Sequence, residues 1–168
     1  HGHQPVYSED RDVVAMLNGE LYNAPQLRAE LTSRGHTLPS HSDTECLPHL
    51  YEEYGDDFVH HLDGMFVAVV WDRRRRRLVI ARDRLGKKPL YWRTDNGVFQ
   101  FGSELKCLLV DRRVPREVDH VAVHHYLTFQ YVPAPWSAVR GVHKLPPTSR
   151  LVWEDGQVSV ERFWSLDY

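Results

Sequence analysis

The stretch MFVAVVWDRRRRRLVIA, residues 65–81, contains two apolar runs separated by five consecutive arginines. The runs 65–71 and 78–81 have the length and the β-branched content of buried strands. They predict an antiparallel hairpin with the arginines at its exposed turn. A phosphate-binding or RNA-binding patch is the alternative explanation for Arg73–Arg77, but no aromatic side chains alternate with these arginines, as binding of single-stranded nucleic acid requires.

The sequence before this hairpin predicts one strand and two helices. The apolar run 13–17 is typical of a buried strand, and Asn18-Gly19 after it is a turn signal. A helix is expected over residues 23–34. The sequence SDTE at 42–45 fits a capping box that opens a second helix, in which Pro48 predicts either a kink or a late helix start.

The sequence after this hairpin predicts two more hairpins and one helix. The turns Asp95-Asn96-Gly97 and Asp155-Gly156 each separate strand-like runs, and Asp119 is expected to cap a helix that continues through Leu127. Strands and helices do not alternate as βαβ units, which indicates the α+β class.

Composition narrows the class of protein. The chain has 168 residues, of which 42% are hydrophobic, and its net charge is -2. These values predict one globular domain and favour neither nucleic acid nor a membrane as partner. No apolar run approaches the ~18–20 residues that cross a bilayer. The two cysteines make no disulfide framework, so a cytoplasmic location is expected.

The residues considered one by one show no catalytic or metal-binding pattern. No glycine-rich phosphate loop and no zinc-ligand spacing are present, and the pairs His60-His61 and His124-His125 are expected at the surface. Cys46 and Cys107 have no neighbour in the sequence that would activate a thiolate. On this evidence the chain is a binding or accessory domain with no metal and no nucleophile of its own.

A series of short motifs changes that interpretation. In order along the chain they resemble the glutaminase domain of glutamine-hydrolysing asparagine synthetases, which are class II amidotransferases with an N-terminal nucleophile. The matching segments are Gly2–Pro5, Asn18–Asn23, Ser42–Glu45, Leu62–Phe66, Ala81–Tyr91, Ser103–Lys106, Tyr131–Pro135 and Lys144–Pro147. The last two segments favour the asparagine synthetase branch over other class II members.

The resemblance implies a fold and a domain organisation. The fold would be a four-layer αββα sandwich of antiparallel sheets, of the N-terminal nucleophile hydrolase type and incomplete at the N-terminus. Residues 1–168 would form a partial amidotransferase domain. Within it, roughly 1–130 would be the core, and 131–168 a connector and final hairpin leading to an ATP-dependent synthetase domain.

The resemblance also implies a reaction and its partners. Glutamine would be hydrolysed to glutamate, and the ammonia would amidate aspartate to asparagine in the C-terminal synthetase domain. That domain would use ATP and magnesium, whereas this domain would need no cofactor. A homodimer is a further possibility, and nucleic acid and membrane are not expected as partners.

The family's site residues map onto four positions. Asn18 and Gly19 match the groups that stabilise the oxyanion, and together with Glu20 and Asp43 they would bind glutamine. A plain turn is the alternative for Asn18-Gly19, and a first-turn helix residue is the alternative for Asp43. The segment Arg82-Asp83-Arg84 is expected to form an internal salt-bridge lattice rather than to contact substrate.

One departure from the family pattern limits what the chain can do. The family's nucleophile is the thiol of an N-terminal cysteine whose own α-amino group acts as the base, and the chain begins at His1. The chain alone is therefore expected to be inactive. Two alternatives stay open: a non-catalytic scaffold with the amidotransferase fold, and the glutaminase-like half of a peptide cyclase or β-lactam synthetase.

Overall fold

The computed structural model describes residues 3–166, which form nine β-strands and four α-helices. The chain divides into two compact units. One consists of the residues up to Lys88 together with those from Pro147 onward, and the other is Pro89–Pro146. None of the helices among the described residues is long and apolar enough to cross a membrane.

The first unit is built on a six-stranded sheet in the order β1-β2-β3-β4-β8-β9. Every neighbouring pair in it is antiparallel. Labels follow the chain, so β5 to β7 belong to the second unit. The strands of the first unit are β1 (Val6–Tyr7), β2 (Val13–Leu21), β3 (Gly64–Asp72), β4 (Arg77–Arg82), β8 (Ser149–Glu154) and β9 (Gln157–Arg162).

Helices cover one face of this sheet. They are α1 (Ala24–Ser33) and α2 (Cys46–Tyr54), with short 3-10 helices at Asp43–Glu45 and Gly55–His61. Alternate residues of a strand point to opposite faces, so every second residue of β2 and β3 packs into one core with these helices. Its buried members include Ala15, Leu17, Leu31, Leu47, Leu50, Phe58, Phe66, Ala68 and Val70.

The central hairpin is confirmed, and the arginines form its turn. β3 and β4 pair from Val67↔Arg82 to Asp72↔Arg77. Carboxylates surround the turn: Arg74 forms ion pairs with Asp10 and Asp12, and Arg77 forms ion pairs with Asp56 and Glu154. These ion pairs make Arg74 and Arg77 part of the folded surface.

The prediction of a turn at Asn18-Gly19 was wrong. Strand β2 continues without interruption to Leu21, and Asn18 and Gly19 pair with Val67 and Phe66 of β3. The glycine permits a close approach of two strands here, and this requirement comes from β3 rather than from the local sequence.

The second helix starts late, as Pro48 predicted, but the capping box was wrong. α2 begins at Cys46, so Pro48 lies in its first turn, where the missing amide hydrogen breaks no helical bond. Ser42 makes no capping bond with its side chain. Glu45 instead accepts a hydrogen bond from Ser40 Oγ at 2.9 Å.

The second unit contains a three-stranded antiparallel sheet and two helices. The sheet order is β6-β5-β7, made of Tyr91–Asp95, Val98–Gly102 and His143–Lys144 for β5, β6 and β7. The helices are α3 (Leu105–Leu109) and α4 (His120–Phe129), and Asp119 caps α4 by accepting from the amides of Val121 and Ala122. The predicted hairpins at 95–97 and 155–156 and the Asp119 cap are confirmed. Antiparallel sheets with a few helices confirm the α+β class.

Candidate functional site

Three of the four predicted site residues lie in succession near the end of β2. Asn18, Gly19 and Glu20 pair with Val67, Phe66 and Met65 of the neighbouring strand. All three are exposed, while the residues on either side of them, Leu17 and Leu21, are buried. Because strand side chains alternate, Asn18 and Glu20 point from the same face of the sheet, about 6.7 Å apart along the strand.

Gly19 is required by the distance between the two strands. Its φ is +141°, and a Cβ at this position would lie 1.9 Å from the carbonyl oxygen of Met65. A Cβ at Gly64 on β3 would in turn lie 2.2 Å from the carbonyl oxygen of Glu20. The two glycines thus allow β2 and β3 to approach closely where the predicted site residues lie.

Asp43 is fastened to the same end of β2. Its Oδ2 accepts a hydrogen bond from the amide of Leu21 at 2.9 Å, and its Oδ1 accepts from the amide of Thr44 at 2.9 Å. The 3-10 helix that carries Asp43 therefore lies against the residue that follows Glu20. All four predicted site residues belong to the first unit, and Asp43 is hydrogen-bonded to the residue that follows Glu20 in β2.

Gln4 holds the strand from its other side. The side-chain amide donates to the carbonyl of Leu17 at 2.9 Å and accepts from the amide of Leu17 at 2.7 Å. One side chain thus completes both backbone bonds of the residue before Asn18. The sequence places Gln4 within the Gly2–Pro5 motif but indicates no role for it, since nothing local predicts a bond to a residue 13 positions away. Gly2 of that motif lies outside the described residues.

Asn23 fixes the chain just after the strand. Its Nδ2 donates to the carbonyl of His61 at 2.8 Å, and its Oδ1 accepts from the amide of Asp63 at 3.1 Å. These two bonds tie the exit from β2 to the entry into β3. Gln4 and Asn23 together brace the backbone on both sides of Asn18–Glu20.

The segment Arg82-Asp83-Arg84 is predicted to form a salt-bridge lattice in the scaffold, and most of the bonds seen in the structure join its side chains to backbone groups instead. The carboxylate of Asp83 accepts hydrogen bonds from four backbone amides, those of Phe66, Leu85, Lys87 and Lys88. Arg82 donates to the backbone carbonyls of Gly86 and Lys88. Arg84 forms an ion pair with Asp63 at 3.4 Å. The segment therefore organises the loop that follows β4 through side-chain bonds to backbone.

We expect Asp83→Asn to lower the free energy of unfolding by about 2 kcal/mol, because the amide group replaces one acceptor oxygen with a donor and leaves buried N–H groups unpaired. Urea unfolding of the chain measures this as a lower midpoint at unchanged slope. Asp63→Asn is the matched control, since the exposed Asp63 has one long ion pair, and its effect should stay within about 0.5 kcal/mol. Equal losses in the two variants would contradict the role given to Asp83.

Cys46 does not have the environment of a catalytic thiol. Cys46 is fully buried in α2, and burial raises the pKa of its thiol to about 11. A thiol of that pKa is almost entirely protonated near neutral pH and is a poor nucleophile. Cys107 is exposed in α3 of the second unit.

The arrangement suits the binding and polarisation of an amino-acid amide. The Asn18 side chain offers N–H donors at an exposed strand position, where they could face a developing oxyanion. Two carboxylates at the same end of the strand could pair with an α-ammonium group.

Comparison with known proteins connects this arrangement to a family. Residues 1–164 match the family described as "Glutamine amidotransferase domain". Asparagine synthetase [glutamine-hydrolyzing] 3 of Bacillus subtilis is 35% identical over 99% of the chain, and asparagine synthetase 1 of the same organism is 36% identical over 100%. The chain spans only 28% and 27% of the lengths of these two relatives. A rice asparagine synthetase is 48% identical over 66% of the chain.

Solved structures agree on the fold. Glutamine phosphoribosylpyrophosphate amidotransferase of B. subtilis superimposes with a TM-score of 0.64 at 22% identity, covering 96% of the chain and 32% of that protein. A class II domain protein of Silicibacter pomeroyi gives a TM-score of 0.57 at 15% identity, covering 91% of the chain and 68% of that protein. The chain therefore has the fold of the class II amidotransferases, as the motif series implied.

Proposed function

The chain belongs to the glutamine amidotransferase domain family, and on that premise we propose that it is the glutamine-hydrolysing part of an asparagine synthetase. The observation that carries the proposal is the site on β2. Asn18, Gly19 and Glu20 are consecutive exposed residues near the end of this strand, and Asp43 accepts a hydrogen bond from the amide of the residue that follows them, Leu21. The two B. subtilis relatives, both named asparagine synthetases, support the choice of product.

The four residues divide the work of binding glutamine. Glu20 and Asp43 pair with the α-ammonium group, because carboxylates bind a cationic group more strongly than they bind a neutral amide. Asn18 and the backbone at Gly19 donate to the carbonyl oxygen of the side-chain amide as that oxygen gains negative charge. This division places the scissile amide beside Asn18 and the amino-acid end beside Asp43.

The nucleophile is supplied by neither Cys46 nor Cys107. An N-terminal cysteine, which the family resemblance implies, would attack the amide carbon while its own α-amine takes the thiol proton and delivers it to the departing ammonia. Water then cleaves the thioester to give glutamate and restore the thiol. Residues 1–168 by themselves are accordingly expected to bind glutamine without hydrolysing it.

A synthetase part that uses ATP and magnesium completes the proposed enzyme. The chain offers a surface for it in the second unit, where α4 and the residues after it expose many large apolar side chains: Val121, Val123, Tyr126, Leu127, Phe129 and Tyr131. Apolar patches of this kind mark protein interfaces. The length of the asparagine synthetase relatives, more than three times that of the chain, supports such a partner.

The test is to purify the natural full-length gene product and determine its N-terminal residue and its products. With glutamine labelled with ¹⁵N in the amide, aspartate, ATP and Mg²⁺, we expect glutamate release and transfer of the label to asparagine. The chain of residues 1–168 is the matched control and should release no glutamate above buffer. A full-length product that lacks an N-terminal cysteine and releases no glutamate would overturn the proposal in favour of a scaffold. Glutamate release with the label in another amide would retain the glutaminase and replace the product.

A further inference from the structure

Four potential metal ligands converge at a place the glutaminase does not use. Glu9 lies in the loop between β1 and β2, His36 follows α1, and His49 and Glu52 are on α2. One ligand atom from each residue can be chosen so that all four atoms lie within 4.8 Å of one another. The cluster brings together three separate segments of the first unit.

The four histidine–carboxylate distances of the cluster are 3.1–3.9 Å, near the edge length of a tetrahedral shell, and Glu9 faces the two rings through different oxygens. His49 Nδ1 lies 3.2 Å from Glu9 Oε2 and 3.1 Å from Glu52 Oε2. His36 Nδ1 lies 3.6 Å from Glu9 Oε1 and 3.9 Å from Glu52 Oε2. Ligands held about 2.0–2.1 Å from a tetrahedral Zn²⁺ ion are about 3.3–3.4 Å apart, so small side-chain movements would complete the shell. Both imidazoles present the same nitrogen, Nδ1, to the same two carboxylates.

The ring of His36 is oriented from outside the cluster. Its Nε2 lies 3.2 Å from Glu53 Oε1, and Arg34 bonds the other oxygen of Glu53 at 2.6 Å. Glu53 can accept the Nε2 hydrogen of His36, and in that arrangement Nδ1 faces the cluster as a ligand atom. A carboxylate behind a histidine is the usual outer support of a metal ligand.

The two carboxylates of the cluster have no basic side chain other than histidine beside them. Within residues 3–166, the ion pairs of Glu9 and Glu52 are with imidazole and with no lysine or arginine. The rings of His36 and His49 lie 4.6 Å apart, between the two carboxylates. A single divalent ion at this place would neutralise both carboxylates and bind both rings.

His49 is the buried member of the cluster. Its side chain is 1% exposed, and its Nε2 has no hydrogen-bond partner among the described residues. Its Nδ1 can carry only one hydrogen, although two carboxylate oxygens lie within about 3.2 Å of it. A metal ion bound at Nδ1 could contact both carboxylate oxygens at once, which a single hydrogen cannot do.

We propose that Glu9, His36, His49 and Glu52 form a binding site for a divalent transition-metal ion of the Zn²⁺ type. Two imidazole nitrogens and two carboxylate oxygens are ligands that suit Zn²⁺ and that Mg²⁺ does not favour. The ion would tie the loop before β2 to α2 and to the segment after α1, a link already begun by the bond from the Thr37 amide to Glu9 Oε1 at 2.8 Å. Glu9 is 45% exposed, which leaves a route for the ion from solvent.

The experiment titrates metal-free chain with ZnCl₂ by calorimetry and with CoCl₂ by visible absorption. We expect one Zn²⁺ per chain, the intense visible bands of four-coordinate Co²⁺, and no comparable binding of MgCl₂. Zn²⁺ at about 100 times its Kd should raise Tm by roughly 5–10 °C. Absence of stoichiometric Zn²⁺ binding, or the weak spectrum of six-coordinate Co²⁺, would overturn the proposal.

Variants locate the bound ion. Glu9→Gln and His36→Gln remove partly exposed ligands, so the chain should still fold, and each should weaken Zn²⁺ binding by more than about 100-fold. Glu53→Gln keeps all four ligands and should cost about 10–100-fold. His3→Gln and His41→Gln are the controls for binding at exposed histidines. If they weaken binding as much as His36→Gln does, the ion is elsewhere and the assignment is wrong. None of these variants touches Asn18–Glu20 or Asp43, so the outcome is independent of the proposed glutaminase.

Discussion

Replacement of Gly19 by alanine is expected to lower the free energy of unfolding of the chain by more than about 4 kcal/mol, the range reserved for severe steric conflicts. The new Cβ would lie 1.9 Å from the carbonyl oxygen of Met65 and 2.8 Å from the Cα of Phe66. These are backbone atoms of β3, which pairs with β2 here, and both backbone groups of Phe66 are also hydrogen-bonded to Asp83, so they cannot move away without breaking these bonds. Urea unfolding followed by far-UV circular dichroism measures the loss.

Gly35→Ala is the matched control for this substitution. Gly35 also has a positive φ, +100°, but a Cβ there meets no atom within 4 Å. Its replacement therefore tests backbone strain alone and should cost about 1–2 kcal/mol. If Gly19→Ala yields no soluble folded protein while Gly35→Ala does, the loss of stability is larger than urea unfolding can measure, and the prediction is confirmed. Similar losses in the two variants would show that the contact with β3 does not matter.

Asn18→Ala in the full-length gene product is expected to slow glutamine hydrolysis by roughly 10²–10³-fold, the usual effect of losing one oxyanion donor. The effect should fall on kcat and leave KM nearly unchanged, because the donor acts on charge that develops during the reaction. Stability should change by no more than about 0.5 kcal/mol, since Asn18 is exposed. Steady-state kinetics of glutamate release give both constants.

Met16→Ala is the control for the Asn18 variant. Met16 lies on the same exposed face of β2, two residues earlier, and carries no hydrogen-bond donor. Its truncation should leave kcat within a factor of about two. An unchanged kcat in Asn18→Ala would remove Asn18 from the oxyanion role, although Glu20 and Asp43 would still be available for binding. This experiment requires that the full-length protein be active, so it follows the product analysis.

Elements set by local sequence could be predicted well. The hairpins at Asp95–Gly97 and Asp155–Gly156 follow from two residues each that accept the positive φ angles of a tight turn, and both turns contain them. The cap at Asp119 and the late start of α2 before Pro48 also depend on interactions within a few residues. The family resemblance added the positions of Asn18, Gly19, Glu20 and Asp43, which no local rule would have selected.

Features that depend on distant segments could not be predicted from the sequence. An Asn-Gly dipeptide is typical of hairpin turns, and this is why a turn was predicted at Asn18-Gly19. The same glycine can also allow a neighbouring strand to approach closely, and only the position of β3 distinguishes the two cases. Asp83 was expected to pair with arginine, whereas its partners are amides of its own loop and of β3. The ligand cluster of Glu9, His36 and His49 had no recognisable spacing because three separate segments contribute to it.

The insertion of Pro89–Pro146 between β4 and β8 has a consequence for synthesis on the ribosome. β4 pairs with β3 on one side and with β8 on the other, yet β8 begins only at Ser149. The 66 residues 83–148 must be translated after β4 before its second neighbour begins, which takes about 3–13 s at 5–20 residues per second. During that interval the nascent chain carries an apolar strand, RLVIAR, with one open edge. The arginines at both ends of that strand are the kind of charge that keeps such an edge from pairing with another chain.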